Sequence, residues 1–141
     1  MRSIGVVTVA RSDYGLYLPI MRRIQEDPDL QLQLIVGGMH LAPEFGMTVN
    51  DIERDGFSID ERVDLLLSSD SPQGIAKSMA LGTMGFAQAF GRLAPDILLP
   101  LGDRFEIYVE NSATSICALT WQSCCVIMIP KATTERFSAI V

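Results

Sequence analysis

A chain of 141 residues, 48% hydrophobic and 20% charged, is of one-domain size and rich enough in apolar side chains for a packed core, which argues against disorder. Its net charge of −6 argues against non-specific binding to nucleic acid or an anionic membrane, but leaves room for a local basic pocket for phosphate. No apolar run reaches the ~18 residues of a membrane span, residues 1–5 carry no cleavage signature, and Cys117, Cys124 and Cys125 fit neither a zinc spacing nor a disulfide framework, so a cytoplasmic protein without a metal is expected.

Residues 4–9, Ile-Gly-Val-Val-Thr-Val, are β-prone and short enough for a buried strand. Residues 10–15 read as a loop. Leu16, Ile20 and Ile24 then recur at helical spacing, with Pro19 in or near the first turn. Asp27-Pro28-Asp29 ends that helix. Residues 30–36 alternate leucine with glutamine and read as a second strand with a more polar face. It breaks at Gly37-Gly38, and residues 39–46 form a loop that contains His40, the sole histidine. Residues 48–54 look helical and close at Asp55-Gly56.

Residues 57–60, with Val63, make a weaker third strand. After a connection over residues 65–70, Ser71 as cap and Pro72 at the first position open a long helix. Its apolar face steps through Ile75, Met79, Gly82, Phe86, Phe90 and Leu93. Gly82 and Gly85 are costly inside a helix and imply a close approach to a neighbouring element. Ala94-Pro95-Asp96 ends the helix, and the apolar run of residues 97–101 forms a fourth strand that stops at Gly102.

This β-α-β-α-β-α-β alternation predicts an α/β fold with a doubly wound parallel sheet, Rossmann-like. Ligands bind such sheets at the carboxyl edge. Arg11 and Asp13 follow the first strand there, His40 the second, and Asp103 and Arg104 the fourth. Arginine suits phosphate, and a carboxylate beside it can act as a base or an orienter. Each of these residues reads equally as a loop salt bridge, a helix cap or an ordinary polar loop residue. With no Gly-x-Gly-x-x-Gly and no P-loop, dinucleotide binding and nucleoside triphosphate hydrolysis lose ground.

Three segments, Arg11-Ser12-Asp13-Tyr14-Gly15, Gly38-Met39-His40-Leu41 with Phe45-Gly46-Met47-Thr48, and Gly102-Asp103-Arg104-Phe105-Glu106, together resemble the hydrolysing UDP-N-acetylglucosamine 2-epimerases, in the branch that serves sialic-acid synthesis. The resemblance implies the N-terminal half of a GT-B-like fold, with an active site between two Rossmann-like domains. It implies loss of UDP from UDP-N-acetylglucosamine by elimination, then hydration to N-acetylmannosamine, with no metal or nicotinamide. It implies Asp103 and His40 as catalytic residues, Asp103 as the acid/base candidate and His40 lining the sugar side, and Arg11, Asp13, Gly15, Arg104 and Glu106 as substrate-binding residues. The partners implied are UDP-N-acetylglucosamine and UDP, with self-association open, and neither nucleic acid nor a membrane.

The resemblance covers residues 1–110. The family's His-x-His-Gly-Gly-Glu is absent from residues 111–141, a divergent tail that reads as a frameshifted or truncated frame within one domain spanning residues 1–141. Pro100 is a second departure, costly in a central strand. Residues 124–129 are apolar and β-prone enough to supply a fifth strand. A chain lacking the second domain is expected to have little activity alone. The rival readings are a GT-B glycosyltransferase half-domain and a non-catalytic nucleotide-sugar-binding domain.

Overall fold

The computed structural model describes residues 1–99, together with Leu101, Val109, Ser112, Ala113 and the backbone of Cys125 and Val126. Its strands are β1 (Arg2–Thr8), β2 (Leu30–Gly37), β3 (Glu61–Val63), β4 (Ile97–Leu99) and β5 (Cys125–Val126). Its longer helices are α1 (Arg11–Glu26), α2 (Val49–Arg54) and α3 (Pro72–Leu93). Two 3-10 turns, Gly38–Leu41 and Pro43–Phe45, lie between β2 and α2. The strands form one parallel sheet in the order β3-β2-β1-β4-β5, the doubly wound arrangement expected from the alternation.

Apolar side chains alternate across the sheet because strand side chains have a period of two. Ile4, Val6, Leu34 and Val36 face Tyr17, Met21 and Ile24 of α1 and Val49 and Ile52 of α2. Val7, Val9, Ile35 and Leu98 face Phe86, Ala89 and Phe90 of α3. The winding therefore reverses between β1 and β4, and a crevice opens outside the carboxyl ends of those two strands. The other end of the β1–β4 pair is held by Asp96. Its carboxylate accepts from the backbone N–H and the hydroxyl of Ser3 at 2.8 and 2.9 Å, bonds that hold it below the usual carboxylate range.

Three expectations need correction. α1 starts at Arg11, so residues 11–15 are helix and not loop, and Pro19 lies well inside it. The buried stripe is Asp13, Tyr17, Met21 and Ile24, while Leu16 is 38% exposed. Helical spacing fits either stripe. Tyr17 goes inward because its hydroxyl donates to the Leu99 carbonyl, so a large ring is buried with its polar tip satisfied. The third strand is Glu61–Val63, later than residues 57–60. Asp60 bridges the gap: its N–H donates to the Leu34 carbonyl at 2.9 Å and its carboxylate accepts from the Leu34 N–H at 2.7 Å.

The long helix follows its sequence. Ser71 Oγ accepts from Gly74 N–H at 3.0 Å, with Pro72 at the first position. At the other end Gln33 Nε2 donates to the Leu93 carbonyl at 2.9 Å, tying the last turn to β2. The close approach expected at the two glycines is present. A Cβ on Gly82 would stand 2.7 Å from Val109 Cγ1, and one on Gly85 would stand 2.6 Å from Val63 Cγ1. The apolar tail does supply a fifth strand, with Cys125 and Val126 paired to Ile97 and Leu98. Pro100 lies outside the described residues.

Gly85→Ala should destabilise the fold by ~1–3 kcal/mol, since a buried valine must move. Ala94, left-handed at the C-cap of α3 (φ 48), gives the opposite case. Ala94→Gly should stabilise by ~0.5–1 kcal/mol, the relieved strain outweighing the added freedom of the unfolded chain. Urea unfolding midpoints at constant m-value would check both.

Candidate functional site

At the carboxyl edge the exit of β2 folds over the exit of β1. Met39 N–H donates to the Val9 carbonyl at 2.9 Å. Gly38 makes this possible, with φ at +57 and a Cβ position only 3.2 Å from Val9. His40 is then carried inward to complete burial. One ring nitrogen, Nε2, lies 2.9 Å from Thr8 Oγ1, and the other, Nδ1, lies 2.7 Å from Thr48 Oγ1. Burial, with a smaller push from the Arg11 charge, lowers its pKa to about 4 against the raising effect of the Ala10 backbone. The imidazole is therefore neutral at pH 7, with both nitrogens engaged.

Thr48 reaches the ring because Gly46 and Met47 are both left-handed, at φ 85 and 47. For Met47 that conformation costs ~1–2 kcal/mol. Tyr14 of α1 packs edge-on against His40, with centroids 6.2 Å apart. Its hydroxyl donates to Asp55 Oδ2 at 2.6 Å, and burial together with that carboxylate raises its pKa. The result is a rigid corner joining β1, α1 and the β2–α2 connection.

Arg11 is the first residue of α1 and is exposed. The N-cap, Ala10, offers no side-chain hydrogen bond to the first turn. A helix start carries positive partial charge and unsatisfied N–H groups, which favour an anion. Asp13, in the same first turn, is buried and accepts from Ser12 Oγ at 3.3 Å. Gly15 is exposed, and nothing lies within 4 Å of where its Cβ would be. Arg11, Asp13 and His40 thus share one corner of the crevice. Asp103, Arg104 and Glu106 lie outside the described residues. Among the described residues no group of His, Cys, Asp and Glu gathers to hold a metal ion, and no helix is long and apolar enough to cross a membrane.

Beside this corner is a cavity of about 400 Å³ between the β2–α2 connection and the chain that leads into α3. Sequence reading missed it, and missed Thr8 and Thr48 as partners of His40. A signal was present: Leu65-Leu66-Leu67 is too apolar for a plain connection. Leu65 fills the core, while Leu66 and Leu67 line the cavity.

Comparison with known proteins agrees with this architecture. A family model described as UDP-N-acetylglucosamine 2-epimerase matches residues 22–119. Over 118 residues the chain is 40% identical to the GDP/UDP-N,N'-diacetylbacillosamine 2-epimerase (hydrolyzing) of Campylobacter jejuni, covering 84% of this chain and 30% of that protein. Over 107 residues it is 37% identical to the UDP-N,N'-diacetylbacillosamine 2-epimerase (hydrolyzing) of Legionella pneumophila, covering 76% and 28%. The chain thus spans under a third of the length of these relatives and matches their N-terminal region. The crystal structure of UDP-GlcNAc 2-epimerase from Neisseria meningitidis bound to UDP-GlcNAc superposes with a TM-score of 0.68 at 14% identity, over 92% of this chain and 31% of that one. That likeness establishes the fold: Rossmann-like, as in the N-terminal part of GT-B-like proteins.

The histidine clamp has a measurable pH signature. A base whose folded pKa lies below its unfolded value contributes full stability above the unfolded pKa and loses it as pH falls through the folded one. For His40 the window runs from 6.5 down to about 4. Stability should fall across it by up to ~3 kcal/mol, and the His40→Gln variant should lack that component. Urea midpoints of both proteins at several pH values would show the difference, and parallel pH curves would remove the clamp from the account.

Proposed function

The chain belongs to the UDP-N-acetylglucosamine 2-epimerase family, and on that premise we propose that it is the N-terminal, nucleotide-sugar-facing part of a hydrolysing 2-epimerase. The observation that carries this reading is Arg11 on the first turn of a helix without a side-chain cap, at the reversal point of the sheet. That arrangement suits the diphosphate of a nucleotide sugar.

In the proposed reaction a base removes the proton from C2 of the sugar while the bond from C1 to the UDP oxygen breaks. The product is UDP and a 2-acetamidoglucal. Water then adds across the double bond, with protonation at C2 on the opposite face, giving N-acetylmannosamine. Negative charge develops on the departing diphosphate. Arg11 and the open start of α1 are proposed to stabilise it, with Arg104 in the same role. Asp103 is proposed as an acid/base residue, and Asp13, Gly15 and Glu106 as substrate contacts. The empty space over Gly15 supports close approach of a ligand. His40, neutral and held at both nitrogens, suits a positioning role that keeps Met39 and the α1 start in register.

The motif resemblance favours UDP-N-acetylglucosamine as substrate, in a cytoplasmic route toward sialic acids. A second reading, UDP-N,N'-diacetylbacillosamine, is favoured by the 40% and 37% identities to enzymes named for it.

The test is to incubate each nucleotide sugar, without an acceptor, with a full-length enzyme carrying this segment and with this chain alone. UDP with a free 2-epimerised sugar supports the reading; UDP release only on adding an acceptor supports a glycosyltransferase. In the full-length enzyme Asp103→Asn should cut kcat ~10²–10⁴-fold. Arg11→Ala should cost ~1.5–3 kcal/mol in kcat/KM, the value of a charge-assisted contact. The chain alone should show almost no turnover, because catalytic groups act as a unit; activity within about tenfold of the full-length enzyme would overturn this reading.

A further inference from the structure

Resting on the nucleotide-sugar reading above, the geometry points to a separate subsite for the sugar: the cavity between the β2–α2 connection and the start of α3 takes the acetamido and methyl substituents of an N-acylated deoxysugar and thereby selects the substrate. At about 400 Å³ the cavity falls within the ~300–1,000 Å³ of small-molecule sites.

Its lining decides the ligand's chemistry. Glu44 and Asp70 contribute carboxylates, and among the described residues no lysine, arginine or histidine lines it. Two anionic groups without a cation disfavour a diphosphate. They favour a neutral ligand that donates hydrogen bonds, as sugar hydroxyls and amide N–H groups do. The rest of the wall mixes apolar side chains, Met39, Phe45, Leu66, Leu67 and Ile75, with the serines Ser68, Ser69 and Ser78. Phe45 and Leu67 are 45% and 40% exposed although large and apolar, and they offer surface for methyl groups and for the C–H face of a pyranose.

The wall is also held in place. Ser68 Oγ donates to Glu44 Oε1 at 3.1 Å, which latches one side of the cavity to the other. Leu67 N–H donates to Ser78 Oγ of α3 at 3.0 Å, which fixes the Leu67 backbone. Met39 lines the cavity and is bonded to Val9 at the exit of β1, two residues before Arg11. The cation and the carboxylate-lined cavity are therefore neighbours along one sheet edge, and one molecule with an anionic end and a neutral N-acylated end is proposed to span them. Each methyl group buried in the cavity should tighten binding about fourfold. A ring with acetamido groups at C2 and C4 and a methyl at C5 should then outbind N-acetylglucosamine about tenfold.

The experiment is methyl-detected NMR of this chain, labelled at Met, Leu and Ile. It is titrated to millimolar concentration with the methyl glycosides of glucose, N-acetylglucosamine and 2,4-diacetamido-2,4,6-trideoxyglucose, and separately with UDP. Expected are shifts at Met39, Leu66 and Ile75 in the order diacetamido sugar, N-acetylglucosamine, glucose, with affinity for the first reduced at least about tenfold by Leu67→Asp or Phe45→Ala. Both substitutions are on exposed side chains, so the fold should survive, which the unaffected core methyls of Leu34 and Ile35 would confirm. Sugars that leave the cavity methyls unmoved overturn the subsite, whether or not UDP binds near Arg11. UDP shifting those methyls overturns it in favour of a nucleotide pocket. Sugars binding as expected while UDP binds nowhere support the subsite and overturn the nucleotide reading instead.

Discussion

The corner at the carboxyl edge depends on one buried imidazole. His40 joins Thr8 at the end of β1 to Thr48 at the start of α2. The two threonines are far apart in sequence, and among the described residues the imidazole is the side chain that bonds both. An imidazole between two hydroxyls need not carry charge, because each hydroxyl donates or accepts as the tautomer demands. Burial in turn keeps it neutral. A charged side chain at that point would have needed a counter-ion in the core. The left-handed backbone at Gly46 and Met47 delivers Thr48 to the ring; it is strained at Met47, and the two buried hydrogen bonds offset that strain.

This corner separates two electrostatic environments. On one side are Arg11 and the positive start of α1; on the other is a cavity lined by carboxylates and apolar groups. Each environment disfavours what the other attracts. A ligand of mixed character is therefore aligned by both before any catalytic group acts, and the rigidity of the corner keeps the two at a constant spacing.

Much of this was legible in the residues. The strand–helix alternation required a parallel sheet, and Ser71-Pro72 marked the start of α3 to the residue. Gly82 and Gly85, costly in a helix, announced a close approach to a neighbouring element, which is Val109 at Gly82 and Val63 of β3 at Gly85. The stripe of α1 was not legible, because Leu16 and Tyr17 fit the same periodicity and only a carbonyl from β4 decides between them. β3 was misplaced because Asp60 imitates a strand residue through its side chain, which no propensity records. At the site, Arg11 and His40 were placed together by topology. The threonine clamp and the cavity were not, since both join segments far apart in the chain. Asp103, Arg104 and Glu106 lie outside the described residues.

The sheet order also has a consequence for synthesis. β1 is central, yet one of its two partners, β4, begins with contacts 93 residues away, as the bond from Ser3 to Asp96 records. At ribosomal rates of ~5–20 residues per second, β1 waits roughly 5–20 s with one edge unpaired. The run Ile4-Gly5-Val6-Val7 is apolar and β-prone on that edge, the kind of strand that recruits other chains. Pairing between distant segments is also slow once the chain is complete. Folding yield for this architecture is therefore governed by how long one strand can be kept from a wrong partner, and the β1–β2 half with α1 packed on it is the nascent species on which a chaperone would act.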